Sequence, residues 1–371
     1  GWGDNMKATI SLIKGDGIGV AVSESAMFLA EKAMAKAGIP APNIVEIAAG
    51  AGYFAETGHD IQPDGEAAAG AADAVFLGAI GLPKVRHKDG TEISPHLRLR
   101  DRYQLYAGVR PVKAYPNTPM PLADPRASKI DLVIIRESTE GLFYSAAVHG
   151  RSKVIDNAVC DETLRITRAT SEKLHDFAFR VATKRKDKGH KGQVTCVDKA
   201  NVFTSMAFFR QIFDDVGANY PDIGKAYNYV DAAALDLIRS PWSADVMVME
   251  NMFGDILSDL AGGLVGGMGM AACGEIGDQI GLFQPAHGSA PDIMGLDKAN
   301  PLAAILSAGL MLDYLAEKLD LPAYEDAAMI LDAAIETGFS LNRLRPMEFG
   351  GDMGTKAITL TLSSLMDGKL R

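Results

Sequence analysis

The segment Glu250-Asn251-Met252-Phe253-Gly254-Asp255-Ile256-Leu257-Ser258-Asp259 sets two aspartates four residues apart. On a helix that spacing puts both carboxylates on one face, a turn apart. Like charges so placed repel unless something positive sits between them. A hard divalent cation with oxygen ligands, Mg²⁺ or Mn²⁺, resolves the conflict; an acidic helix end facing water is the plainer reading. A basic set complements these acids. Arg98, Arg100 and Arg102 lie in SPHLRLRDRYQLYAGVRP, Arg110 stands near its end, and Arg136 follows the run DLVII. The guanidinium fork suits carboxylates, so these arginines point to a small, multiply anionic ligand. For Arg98 and Arg102, surface ion pairs serve equally. Asp198-Lys199-Ala200-Asn201 follows QVTCV, and Asp231 follows YNYV. Lys199 reads either as a functional amine or as a solvent-exposed lysine. Asp231 reads as a ligand or as the cap of the next helix.

Two glycine-containing segments complete the inventory. GDGIG carries Gly15, Gly17 and Gly19. That is G-x-G-x-G, not the G-x-G-x-x-G of the dinucleotide fingerprint, so no nucleotide follows from it on the Rossmann analogy. Pro285-Ala286-His287-Gly288-Ser289-Ala290-Pro291-Asp292-Ile293 is small and irregular, and lets a ligand approach the backbone closely.

The elements that must position these residues alternate in type. KATISLI (Lys7–Ile13), AVFLG (Ala74–Gly78), DLVII (Asp131–Ile135), QVTCV (Gln193–Val197) and DVMVM (Asp245–Met249) read as buried strands. Helical patterns follow several of them, at Ala21–Lys36, Val202–Val216, Ala232–Arg239 and Asp255–Leu260. Such alternation predicts an α/β fold with a largely parallel sheet, in which ligands gather at strand ends.

Composition bounds the partners. The 371 residues predict two domains, and 37 basic against 47 acidic residues leave a net charge of −10. That balance argues against nucleic acid or an anionic membrane as the main partner. KRKDKGHK (Lys184–Lys191) reads as a solvated helix end. Cys160, Cys196 and Cys273 are odd in number and far apart, which predicts a reducing, cytoplasmic setting without a disulfide framework. No apolar run has membrane-span length, and the chain start lacks signal-peptide order.

In their order, GDGIG, LRLRDRYQLYAGVRP, RESTEG, VDKANV, YVDAAAL, NMFGDILSDL and HGSAPDI…ANP resemble the metal-dependent β-decarboxylating dehydrogenases. That family includes isocitrate, isopropylmalate, homoisocitrate and tartrate/D-malate dehydrogenases. The resemblance covers nearly the whole chain. It implies a two-domain α/β sandwich of the isopropylmalate dehydrogenase type, not a Rossmann fold. The cofactor-binding domain would be discontinuous, over residues 1–105 and 266–371, and residues 106–265 would form the substrate, metal and dimerisation domain. It further implies a homodimer whose active site is completed by the partner subunit.

By the same resemblance, Arg100, Arg110 and Arg136 hold substrate carboxylates, with Ser94, His96 and Asn201 also at the substrate. Asp255, Asp259 and the second subunit's Asp231 bind Mg²⁺ or Mn²⁺, and Lys199 of that subunit assists deprotonation of the substrate hydroxyl. A cation chelated by the hydroxyl and its carboxylate would lower the hydroxyl pKa, and a neighbouring cation and desolvation would depress that of the lysine. Gln284, His287, Gly288, Ser289, Ala290, Asp292 and Asn300 fall at the cofactor. Asp292, placed where it would accept from the ribose hydroxyl and repel a 2′-phosphate, implies NAD.

Two departures from the family pattern stand out: Phe143 occupies the place of the usual tyrosine proton donor, with Tyr144 or a water as the replacement, and Gln284 stands for a usual glutamate. The loop Ile93-Ser94-Pro95-His96-Leu97 keeps one leucine. It favours an isocitrate-like or tartrate/D-malate-like di- or tricarboxylic hydroxy acid. 3-Isopropylmalate, the leucine-biosynthesis substrate, is the alternative, and a non-catalytic regulatory subunit is a remote one.

Overall fold

The computed structural model describes residues 7–144 and 152–369. Among them, ten strands form one sheet: β1 (Thr9–Gly15), β2 (Asn43–Glu46), β3 (Ala74–Ala79), β4 (Ala107–Lys113), β5 (Asp131–Glu137), β6 (Gln193–Asp198), β7 (Gly224–Tyr229), β8 (Val246–Met249), β9 (Ala272–Ile276) and β10 (Gly281–Pro285). Their spatial order is β2-β1-β3-β10-β9-β4-β5-β8-β6-β7. The outer pairs are parallel, as the alternation of strands and helices predicts. The centre differs: β10–β9, β9–β4 and β4–β5 are antiparallel.

The helices are α1 (Gly19–Lys36), α2 (Ala51–Thr57), α3 (Gly65–Ala71), α4 (Pro95–Arg102), α5 (Arg168–Asp187), α6 (Thr204–Gly217), α7 (Val230–Arg239), α8 (Asn251–Gly263), α9 (Leu302–Leu319), α10 (Ala323–Ser340) and α11 (Thr355–Met366). They cover both faces of the sheet. α1, α9, α10 and α11 share one apolar cluster through Val22, Leu29, Ile305, Leu331 and Leu362. α5 and α6 pack Phe179, Phe209 and Phe213 against β5, β6 and β8. Burying apolar side chains at roughly 25 cal/mol per Å² makes these layers the main stabilising force. The basic run Lys184–Lys191 ends α5 and is mostly exposed, as its solvated reading predicts, while Arg185 reaches inward to Asp131 and Asp245 at 3.1 and 2.7 Å.

The antiparallel centre positions the site. Ala107, at the start of β4, pairs with Glu137 at the end of β5 and with Ile276 at the end of β9. One edge of the sheet therefore receives the approach from α4 with Arg100, the end of β5 with Arg136, and the end of β9. β8 runs parallel to β5, so α8 starts at that same edge.

Candidate active site

α8 begins where Glu250 accepts the backbone N–H of Phe253 at 2.6 Å, capping the helix. It buries Gly254, Leu257, Ser258 and Ala261, the i, i+3, i+4, i+7 stripe. Asp255 and Asp259 consequently face outward and are exposed. Arg136, only 4% exposed, crosses to this helix. Its Nη2 donates to Asn251 Oδ1 at 2.7 Å and its Nη1 to Asp255 Oδ1 at 3.2 Å. Gly254 makes the crossing possible, since a Cβ there would stand 2.5 Å from Arg136 Cγ. Burial lowers the Arg136 pKa, and Glu275 and Asp255 oppose that shift.

Arg100 and Arg110 converge on a residue that sequence reasoning missed. Glu275, on β9 and 1% exposed, lies 3.3 Å from Arg100 Nη2 and 3.5 Å from Arg110 Nη2. Burial pushes its carboxyl up, but Arg100, Arg110 and Arg136 outweigh that and hold it below the ordinary glutamate value. In sequence Glu275 is one acid in the short run ACGEI, and only the antiparallel register opposite Gly108 brings it to the arginines. His96 is half-buried, and desolvation beside Arg100 pushes its pKa down to about 4. Ser94 Oγ donates to Glu92 O at 3.4 Å. Arg98 pairs with Asp60 at 2.6 Å and Arg102 with Glu66 at 3.7 Å, as their surface reading predicts.

Lys199 and Asp231 find each other, at 2.8 Å, on the ends of β6 and β7. That bond lowers the Asp231 pKa. Asn201 is exposed beside them. Beyond α4, Phe143 and Tyr144 part company: the Arg136 guanidinium sits 6.0 Å from the Phe143 ring, while Tyr144 stacks 4.3 Å from Arg165.

The glycine segments interlock. Ile18 N donates to Ser289 O at 2.7 Å, and Ser289 Oγ donates to Gly81 O at 2.5 Å. Asp16 accepts from the N–H groups of Ala51, Gly52 and Gly81 at 2.8, 2.9 and 2.8 Å. Gly17 has φ +56° and a Cβ there would lie 2.0 Å from Ser289 O, so only glycine fits this crossing. His287 Nδ1 bonds Gly288 O at 2.8 Å, while its Nε2 is buried without a partner. Ala290 is in the left-handed region at φ 38°, and Asp292 and Gly288 are exposed. Gln284 is half-buried in β10. Asn300 accepts from Leu302 N at 3.0 Å and so closes the start of α9.

The isocitrate/isopropylmalate dehydrogenase family profile matches residues 9–361. The chain belongs to this family. A Methanocaldococcus jannaschii protein described as 3-isopropylmalate/3-methylmalate dehydrogenase is 40% identical over 347 residues, 93% of this chain and 95% of that one. The 3-isopropylmalate dehydrogenase of Carboxydothermus hydrogenoformans is 37% identical, over 88% of this chain and 85% of the relative. Among solved structures, isocitrate dehydrogenase from Methylococcus capsulatus superposes with TM-score 0.79 at 29% identity, covering 97% of this chain and 99% of the other.

The dehydrogenase's residues fit the groups the family uses. Two exposed carboxylates one turn apart supply hard oxygen donors suited to a divalent cation. Among the described residues, no group of three or more His, Cys, Asp or Glu gathers within one chain as a metal site. The orphaned His287 Nε2 and the open space beside Gly288, where a Cβ would meet nothing within 4 Å, suit a cofactor lying along this loop. No helix of the described residues is long and apolar enough to cross a membrane.

Proposed function

We propose that this dehydrogenase oxidises and decarboxylates a 3-substituted malate, using NAD and Mg²⁺ or Mn²⁺. The carrying observation is buried Arg136, which bonds Asp255 of α8 and lies within the field of Arg100 and Arg110. It sets a carboxylate-binding cation beside cation-binding carboxylates. The relatives' names shift the weight from an isocitrate-like or tartrate/D-malate-like substrate to the alternative, 3-isopropylmalate or a shorter 3-alkyl analogue. Leu97 supports this: it is 45% exposed one turn before Arg100, an apolar surface for an alkyl group beside a carboxylate.

Held by Asp255, Asp259 and the second subunit's Asp231, the cation would lower the pKa of the substrate hydroxyl, and NAD would supply the hydride acceptor. Arg100, Arg110 and Arg136 hold and orient the carboxylates. Lys199 takes the hydroxyl proton, and Asp231, its partner at 2.8 Å, steers the amine. Carbon dioxide leaves, and Tyr144 or a water protonates the carbon left behind. Asn201, Ser94 and His96 border the substrate. His287, Gly288, Ser289, Ala290, Gln284, Asn300 and Asp292 form the cofactor side, with Asp292 selecting NAD over NADP by repelling a 2′-phosphate.

The working unit is a homodimer in which Lys199 and Asp231 serve the partner's Arg136 and α8. Support comes from an incomplete acid set in one chain and from an apolar face on α7 and α8, where Leu235, Ile238 and Ile256 are 47%, 45% and 60% exposed. The sheet order supports the discontinuous domains, since β1–β3, β9 and β10 fill one half and β4–β8 the other. Three free cysteines suit a cytoplasmic setting.

The test is a panel of 3-isopropylmalate, 3-methylmalate, D-malate, tartrate and isocitrate, with NAD or NADP and with or without Mn²⁺, reading reduced cofactor and released CO₂. A 3-alkylmalate with NAD and Mn²⁺ is expected to give the highest kcat/KM. Equal turnover without added metal in chelator-treated protein would refute the reading.

A further inference from the structure

Three arginines, Arg100, Arg110 and Arg136, cluster around a buried charge of opposite sign. Glu275 belongs to no ligand set assigned above, yet its carboxylate is within ion-pair reach of both Arg100 and Arg110 and within the field of Arg136. It is not an outward salt bridge: the side chain is 1% exposed. The Nε of Arg110 is buried without a partner, so the cluster retains one unused donor, while Ser138 helps to hold the Glu275 carboxylate. Gly108 keeps the space open, because a Cβ there would lie 2.8 Å from Ser138 Oγ and 3.1 Å from Glu275 Oε2.

Counting charges gives the consequence. Arg100, Arg110 and Arg136 contribute three positive charges and Glu275 removes one, leaving two. His96, the next basic group, cannot supply another near neutrality, because burial holds it neutral down to about pH 4. Asp255 and Asp259 together match a divalent cation, and the third proposed ligand, Asp231, is matched by Lys199 at 2.8 Å, so neither pairing alters this balance once the cation is bound. A low-dielectric pocket with two uncompensated positive charges suits two substrate carboxylates. A third would face Glu275 with no cation left to pair it, and an unpaired buried charge is strongly disfavoured.

We propose that Glu275 is a specificity-determining residue that sets this site for dicarboxylic hydroxy acids and excludes tricarboxylic ones. The inference rests on the proposed hydroxy-acid site but is finer than it. Exclusion acts through repulsion, the element by which selective sites commonly reject a near analogue. It also accounts for an otherwise costly burial: the glutamate pre-aligns Arg100 and Arg110 while removing their capacity for one further anion.

The experiment compares binding of succinate and propane-1,2,3-tricarboxylate, which differ by one carboxymethyl group, to the Mn²⁺-loaded protein and to Glu275→Gln, by calorimetry. Neither probe needs turnover, so the outcome does not depend on which substrate is physiological. Wild type is expected to prefer succinate at least tenfold. Glu275→Gln is expected to narrow that preference at least tenfold, chiefly by tighter tricarboxylate binding. In turnover, the variant should lower KM for isocitrate more than it changes kcat. Wild-type binding of the tricarboxylate as tight as succinate overturns the proposal, and so does an unchanged preference in a folded variant. Should Glu275→Gln fail to fold by circular dichroism, the wild-type pair alone decides. Loss of binding of both probes by wild type would instead remove the arginine site itself, and with it the proposed function.

Discussion

Replacing Gly254 by alanine isolates the contact on which the site depends. Gly254 lies inside α8 at an ordinary helical φ, so the substitution by itself should stabilise the helix by about 1 kcal/mol. The added methyl, however, would stand 2.5 Å from Arg136 Cγ, 2.6 Å from its Cβ and 3.2 Å from its Cα. These atoms are near the backbone of a central strand and cannot swing aside as a side-chain tip can. Overpacking of this kind costs about 1–3 kcal/mol. Displacing Arg136 from Asn251 and Asp255 weakens charged hydrogen bonds worth about 1.5–3 kcal/mol.

Less the helix gain, these costs come to a net destabilisation of about 1.5–5 kcal/mol, read by denaturant titration. With a carboxylate clamp worth about 1.5–3 kcal/mol displaced, kcat/KM should fall between about 10- and 150-fold. Gly309→Ala is the matched control, within α9 with nothing within 4 Å of its would-be Cβ. It should be neutral or stabilising and leave activity intact. Activity of Gly254→Ala within twofold of wild type would refute the view that Arg136 holds substrate from this position.

Two further outcomes follow from the geometry. Arg136→Gln and Lys199→Met should each be inactive alone; subunits mixed at random should regain about a quarter of wild-type activity, since half the dimers then carry one intact site of two. Failure of any mixture to recover activity, with dimers confirmed by sedimentation, would place Lys199 and Arg136 in one chain's site. His175, fully buried with Nε2 3.1 Å from Phe209 O, has its pKa pushed down from 6.5 to about 3 by desolvation. The unfolded chain therefore takes up a proton that the folded one refuses, so stability falls as pH drops below about 6.5, by roughly 2 kcal/mol at pH 5. His175→Gln should remove that slope in unfolding titrations at pH 5 and 7.5; parallel curves would refute it.

Much of this site was legible because its residues follow strands of plain composition. DLVII and QVTCV are short runs rich in β-branched residues, so Arg136 and Lys199 fall at strand ends by inspection, and the i, i+4 aspartates need only a helix. The sheet centre was illegible. β4 contains Arg110 and Pro111, and proline disfavours a central strand. It is tolerated because β9 pairs β4 only over Ala107–Val109, leaving Pro111 with β5 alone beside it. β9 carries a glycine and a glutamate in five residues, weak strand signals both. Glu275 was invisible for that reason: its meaning depends on long-range register, which local composition does not encode.

The sheet order also dictates when the molecule can fold during synthesis. β3 pairs on one side with β10, some two hundred residues later in the chain, and α1 packs its apolar face against α9, α10 and α11. β1 to β3 and α1 therefore stay incomplete until β10 and α9 to α11 have emerged from the ribosome. β4 to β8 and α5 to α8, by contrast, find most of their neighbours among themselves. These elements can thus acquire structure while β1 to β3 and α1 wait with apolar surface uncovered. A nascent chain stalled before β10 should accordingly be a stronger ligand for chaperones than the finished enzyme.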